Sequence, residues 1–146
     1  MNAEKNQDGY TIKGYAAKFN DTTNLGNFSE RIARGAFAEA LDHDVRFLIN
    51  HDGLTLARTT NGTLQLREDS TGLHYTAQLN NTTASRDLFE AIKRGDVSQS
   101  SFAFTIDRQS WSEDNSTRTV EKVGTLLDVS AVVFPAYKNS SVEVAE

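Results

Sequence analysis

The chain reads as a mainly β protein with some α (α+β), a closed or nearly closed β-barrel with a few surrounding helices. Three observations predict this. Apolar and polar residues alternate through Leu64 and Leu66 and again through Leu73, Tyr75, Ala77 and Leu79, the period of half-buried strands. Val120 to Val133 is dense in valine and leucine, as a buried strand is. A firm helical period occurs only at Thr83 to Arg94, so helices are isolated insertions among strands.

Taken in order, Tyr10 to Phe19 predicts a strand, and Asn20 to Asn27, rich in Asp, Thr, Asn and Gly, a loop. Ala36 to Leu41 is short and helix-prone, with Phe37 and Leu41 at i, i+4 on one face. Val45 to Asn50 is an apolar run typical of a buried strand, ending on a His51-Asp52-Gly53 turn. The two alternating runs around Glu68-Asp69-Ser70-Thr71-Gly72 predict a hairpin with a longer loop. In the Thr83 to Arg94 helix, Leu88, Ala91 and Ile92 share a face, Lys93 and Arg94 occupy the last turn, and Gly95 closes the end. Strands return at Ser101 to Ile106 and Val120 to Val133, and Pro135 ends the last of them.

With 146 residues, the chain is most simply one domain, its core at about 10–138 and polar tails at 1–9 and 139–146. Met1 to Gly9 lacks the basic and apolar regions of a secretion signal. No stretch approaches the roughly 18–20 apolar residues of a membrane span. The absence of cysteine excludes disulfides, thiolate metal sites and a cysteine nucleophile, and fits a cytosolic setting. A net charge of -5 with scattered basic residues argues against nucleic acid as a partner. The three histidines, His43, His51 and His74, have no helical ligand spacing, and His74 alternates away from its strand's apolar face, so a zinc site is set aside. Glycine-rich phosphate loops are absent.

Chemistry gathers in three segments: Ile49-Asn50-His51-Asp52, Ser98-Gln99-Ser100-Ser101-Phe102-Ala103-Phe104 and Leu127-Asp128-Val129-Ser130. A hydroxyl attacks a carbonyl only with a base to take its proton and a third group to hold that base. Strand alternation puts Phe102, Phe104 and Ile106 on one face and Ser101, Ala103 and Thr105 on the other. Ser101 thus stands on the less bulky face as a candidate nucleophile, while Ser100 shares the side of Phe102 and suits a buried role. The plain alternative is a surface serine at a strand start.

His51 is the candidate general base, its titration range suited to neutral pH, against the alternative of a solvated loop histidine. Asp52, its neighbour, diverges from it on an extended chain and suits binding of turn amides. Asp128 is out of character in an apolar strand, and a buried carboxylate must be paired. It either pairs structurally with Arg46, Arg58 or Arg118, or orients His51. Arg58 offers an electrostatic contribution to a developing oxyanion, or a structural salt bridge. The oxyanion hole itself is not legible in side chains.

The segments together resemble the prohead (capsid maturation) proteases of tailed bacteriophages. The resemblance runs through Gly14-Tyr15-Ala16-Ala17-Lys18-Phe19, Glu30-Arg31-Ile32-Ala33-Arg34-Gly35-Ala36-Phe37 and Val45-Arg46-Phe47-Leu48-Ile49-Asn50-His51-Asp52. It continues in Leu56-Ala57-Arg58-Thr59, Gly62-Thr63-Leu64 and Arg94 to Phe104, and ends in Asp128 to Tyr137, all in collinear order. Arg34 stands where proline is usual and Ala103 where glycine is common.

The resemblance implies a fold similar to the herpesvirus assembly proteases. It implies a serine endopeptidase, packaged in the immature capsid within the host bacterial cytoplasm. There it would cleave scaffold, or the scaffold-like segment of the major capsid protein, and itself. By motif it carries over Ser101 as nucleophile, His51 as base and Asp128 as the orienting residue, a place the herpesvirus enzymes fill with a second histidine. A homodimer is suggested by analogy; no cofactor, metal or membrane enters the reading. A catalytically silent capsid- or scaffold-binding β-domain and an esterase with the same serine and histidine are the rival readings.

Overall fold

A computed structural model describes residues 10–145. The expected polar segment 1–9 lies outside the described residues. The elements are β1 (Thr11–Lys18), β2 (Thr23–Asn24), β3 (Ser29–Ile32), β4 (Arg46–Ile49), β5 (Asp52–Arg58), a 3₁₀ turn (Thr59–Asn61), β6 (Leu64–Glu68) and β7 (Gly72–Gln78). Helix α1 (Thr83–Arg94), β8 (Gln99–Trp111), β9 (Thr117–Val132) and β10 (Ser141–Val144) follow. The protein is mainly β, as its alternation predicts. No helix among the described residues is long and apolar enough to cross a membrane.

The strands form two sheets. One has the order β10-β1-β7-β6; the other runs β2-β3-β9-β4-β5, with β8 also paired to β9. The expected closed barrel is corrected here: among the described residues no strand ladder joins the sheets. At one seam, a backbone bond from Val142 N–H to the Ser98 carbonyl (3.1 Å) is joined by bonds of serine side chains. Ser100 N–H donates to Ser140 Oγ (3.0 Å) and Ser100 Oγ donates to the Ser141 carbonyl (2.7 Å). At the other, Asn80, after β7, reaches β5 through its N–H to the Leu56 carbonyl (3.2 Å) and its side-chain amide to the Thr55 carbonyl (3.5 Å).

Strand β9 is the spine that positions the site. It is 16 residues long, with β8 antiparallel along one edge. On the other edge β3 pairs in parallel with its start and β4 with its end. The carboxyl-terminal end of β9, Asp128 to Val132, lies between β8 and β4 and is buried throughout. Phe102, Val129 and Phe47 form one cross-strand row in the core. Phe102 packs against Phe37 and Tyr137 with ring centroids 5.4 and 5.7 Å apart.

Helix α1 forms as its sequence predicts. Thr82 caps it by accepting from Ser85 N–H (3.2 Å), Gly95 ends it at φ 93°, and Leu88, Phe89 and Ile92 are buried. Two further expectations change. Residues 36–41 are not a helix but successive three-residue-spaced turns, Ala36 N–H to Ala33, Ala38 to Gly35 and Ala40 to Phe37. Phe37 is fully buried, and its N–H is held by Glu68 Oε2 (3.0 Å) rather than by a helical carbonyl. The segment 139–146, expected as a polar tail, contains β10, whose Val142 is buried as β10 pairs with β1.

Candidate active site

The site begins with two cross-strand rows on β8, β9 and β4. Ser101 lies opposite Ser130, which lies beside Leu48; two residues along each strand, Ala103 lies opposite Asp128, which lies beside Arg46. Side chains alternate along a strand, so Ser101, Ala103, Ser130 and Asp128 share one face. The intervening Phe102, Val129 and Ala131 are buried in the core. The register thus brings Ser101 within a strand spacing of Ser130 and diagonal to Asp128.

His51 reaches this face through the turn that joins β4 to β5. Ile49 pairs with Asp52, so the connection is only Asn50 and His51, and both have positive φ, 54° and 58°. That is the backbone a two-residue hairpin needs to match strand twist. Asparagine accepts it readily; histidine does so at a cost of roughly 1 kcal/mol. The turn is therefore one residue earlier than its sequence suggests, and Asp52 is exposed at the start of β5. Asn50 clamps the turn to β9: its N–H donates to the Ala131 carbonyl (2.9 Å) and its Oδ1 accepts from Val133 N–H (3.1 Å).

The imidazole then meets Asp128. His51 Nδ1 lies 2.6 Å from Asp128 Oδ1, with the histidine side chain 36% exposed and the aspartate 12%. Ser130 Oγ lies 2.9 Å from the same Oδ1 and also accepts from His51 N–H (3.1 Å). A nearly buried carboxylate requires such partners.

The arginines that offered a structural explanation are engaged elsewhere. Arg46 faces Asp44 (3.3 Å) and Arg58 grips the same carboxylate with two bonds (2.8 and 2.7 Å). The Arg58 guanidinium holds the Asp44 carboxyl below its usual range. Arg58 also lies at the opposite end of β5 from His51. Arg118 pairs with buried Glu30 and lies over the Phe28 ring (4.8 Å).

The serines divide just as sharply. Ser100 is fully buried, its Oγ 2.6 Å from Tyr75 Oη and bonded to the Ser141 carbonyl. Ser130 is fully buried and bound to Asp128. Ser101 retains 8% exposure, and its hydroxyl joins none of these bonds among the described residues. Ala103 lies opposite Asp128 on the same face. Beside the turn lies an open, mainly apolar groove of about 390 Å³, lined by Ile49, Leu54, Leu56 and Ala84 among others.

His43 and His74 have separate surroundings: His43 Nδ1 accepts from Leu126 N–H (3.3 Å), and His74 packs edge-on to Tyr15 (5.1 Å). Burial lowers the His74 pKa. Sequence reasoning missed Ser130 as a participant. Its signal was there in the i, i+2 spacing from Asp128, which puts both on one strand face.

Comparison with known proteins points to one family. The family model described as caudovirus prohead serine protease matches residues 1–146. The prohead protease of Enterobacteria phage HK97 is 28% identical over 135 residues, 90% of this chain and 58% of that protein. The chain therefore spans somewhat more than half the length of this curated relative. No solved structure matches it.

Proposed function

The chain belongs to the caudovirus prohead serine protease family, and on that basis we propose that it is a serine endopeptidase of virion assembly with Ser101 as nucleophile, His51 as general base and Asp128 as the residue that orients it. The observation that carries this reading is the 2.6 Å contact between His51 Nδ1 and Asp128 Oδ1 on the strand face that Ser101 shares. With Nδ1 held by the carboxylate, Nε2 is the nitrogen left to accept a proton.

Ser101 Oγ attacks the scissile carbonyl carbon as its proton passes to His51 Nε2. The tetrahedral intermediate collapses, and the departing amine takes that proton from the imidazolium. Water then adds to the acyl-serine by the same base, releasing the acid and restoring Ser101. Asp128 stabilises the imidazolium in both halves.

The substrates in this reading are scaffold, or the scaffold-like segment of the major capsid protein, and the enzyme itself, cut within the assembling prohead. Apolar lining of the groove beside the His51 turn suits an apolar substrate side chain. A kinship in fold with the herpesvirus assembly proteases, and their dimeric state, belong to the same reading.

The test is co-expression with the cognate capsid protein. Ser101→Ala abolishes processing while the protein stays folded, and Ser100→Ala, as a neighbouring control, still processes. Wild-type processing by Ser101→Ala would sink the nucleophile assignment.

A further inference from the structure

We propose that Ser130 is a positioning residue that locks His51 and Asp128 together for proton transfer, a role that rests on the catalytic reading above. Ser130 is fully buried in a strand segment where Val129, Ala131 and Val132 are its neighbours. An apolar residue would satisfy packing there, whereas a buried hydroxyl is costly unless both its capacities are used. Both are used, and both on the candidate site.

The lone pair of Ser130 Oγ accepts from His51 N–H (3.1 Å). This pins the backbone of a residue held at φ 58°, an arrangement that persists only when its surroundings enforce it. The hydroxyl proton goes to Asp128 Oδ1 (2.9 Å), the oxygen that also meets His51 Nδ1. Ser130 Oγ is 3.4 Å from Nδ1, close enough to compete for it. Because its one proton is committed to the carboxylate, it does not donate to Nδ1. Nδ1 therefore keeps its own hydrogen, pointed at Asp128, and Nε2 is left as the acceptor. Ser130 in this way fixes the carboxylate rotamer, the ring's tautomer and the turn that carries the ring. The same commitment and its burial disqualify Ser130 as a nucleophile.

A residue that only fastened the hairpin would affect stability and leave turnover of the folded enzyme alone. The experiment uses the full chain and a fluorogenic peptide spanning the cleavage site identified by sequencing the products of co-expression. Ser130→Ala lowers kcat roughly 10- to 100-fold, the effect of losing one hydrogen bond to a charged group, and leaves KM within about twofold. Ser130→Thr and Ser130→Val match each other in shape, and only the first keeps the hydroxyl. Threonine restores most of kcat and valine does not.

Independently of any variant, nitrogen NMR of the wild-type protein finds neutral His51 as the Nδ1–H tautomer. Wild-type kcat in Ser130→Ala, equal kcat in the threonine and valine variants, or an Nε2–H tautomer in the wild type would each overturn the role. Ser101→Ala separates the two claims. If it still cleaves, the catalytic reading falls and takes this role with it. If it is inactive while Ser130→Ala turns over normally, the Ser130 role alone falls.

Discussion

Replacing Asp128 by asparagine keeps the shape of the side chain and removes its charge. In the native site the carboxylate oxygen lies 2.6 Å from His51 Nδ1 and 2.9 Å from Ser130 Oγ, and the aspartate side chain is 12% exposed. As His51 takes the serine proton it becomes an imidazolium facing that carboxylate. Two unit charges about 4 Å apart attract by about 4 kcal/mol at an effective dielectric constant near 20. Solvent reaches the imidazole, whose side chain is 36% exposed, and screening reduces the figure to roughly 2–4 kcal/mol. Asp128→Asn should therefore lower kcat between about 30- and 1000-fold with little change in KM. Part of the loss comes from the amide, whose NH₂ can turn toward Nδ1 and select the wrong tautomer. The assay is initial-rate hydrolysis of the cleavage-site peptide, with thermal melts to establish that the variant is folded. A folded Asp128→Asn enzyme within threefold of wild-type kcat would refute the role given to this carboxylate.

Three other outcomes are expected. Ser100→Ala removes the partner of the fully buried Tyr75 hydroxyl and should cost about 1–3 kcal/mol in urea unfolding, while turnover of the folded enzyme is unchanged; an unaltered unfolding midpoint would contradict this. Glu30→Gln leaves Arg118 without its buried counter-charge and weakens the Tyr137 hydrogen bond, so it should destabilise by roughly 3 kcal/mol, which the same titration measures. Asp69 accepts from Tyr15 Oη (2.6 Å) and from the N–H groups of Thr71 and Gly72, and the tyrosine hydrogen bond above all holds its carboxyl below the usual range. Its stabilisation is whole above the unfolded carboxylate value of about 3.9 and fades as pH falls through the lowered native one. The stability gap between wild type and Asp69→Asn should close only below about pH 4, and a gap unchanged down to pH 2 would count against it.

The parts of the fold that follow a local period were legible in the chain. Alternation marked β6, β7 and the start of β8, and Leu88, Ala91, Ile92 and Gly95 marked the helix and its end. What escaped was set by distant partners. Phe37 and Leu41 sit at helical spacing, yet burial of Phe37 and the reach of Glu68 to its N–H turn the segment into irregular turns. Strand β5 begins Asp52-Gly53-Leu54, exposed residues without strand character, and exists because the Asn50-His51 turn folds it back on β4. The seam between the two sheets is closed by the Ser100 and Ser140 hydroxyls and by the backbone bond from Val142 N–H to the Ser98 carbonyl, which no periodicity encodes.

The candidate site was legible for a related reason. Asp128 breaks the apolar character of its strand, and strand alternation separated Ser101 from Ser100. The proximity of Asp128 to His51, on which its proposed role rests, needed the register of β9 with β4 and β8. That register lays Asp128 beside the His51 turn and leaves Arg46, Arg58 and Arg118 to other carboxylates.

The central claim is that the hydroxyl of Ser101 is the nucleophile and His51 its base. A fluorophosphonate forms a covalent bond with a serine activated in this way, and mass spectrometry of the digested protein locates the adduct. The account predicts modification at Ser101, and its loss in His51→Ala. An adduct at Ser98, Ser100 or Ser130, or one at Ser101 that persists undiminished without His51, would contradict it.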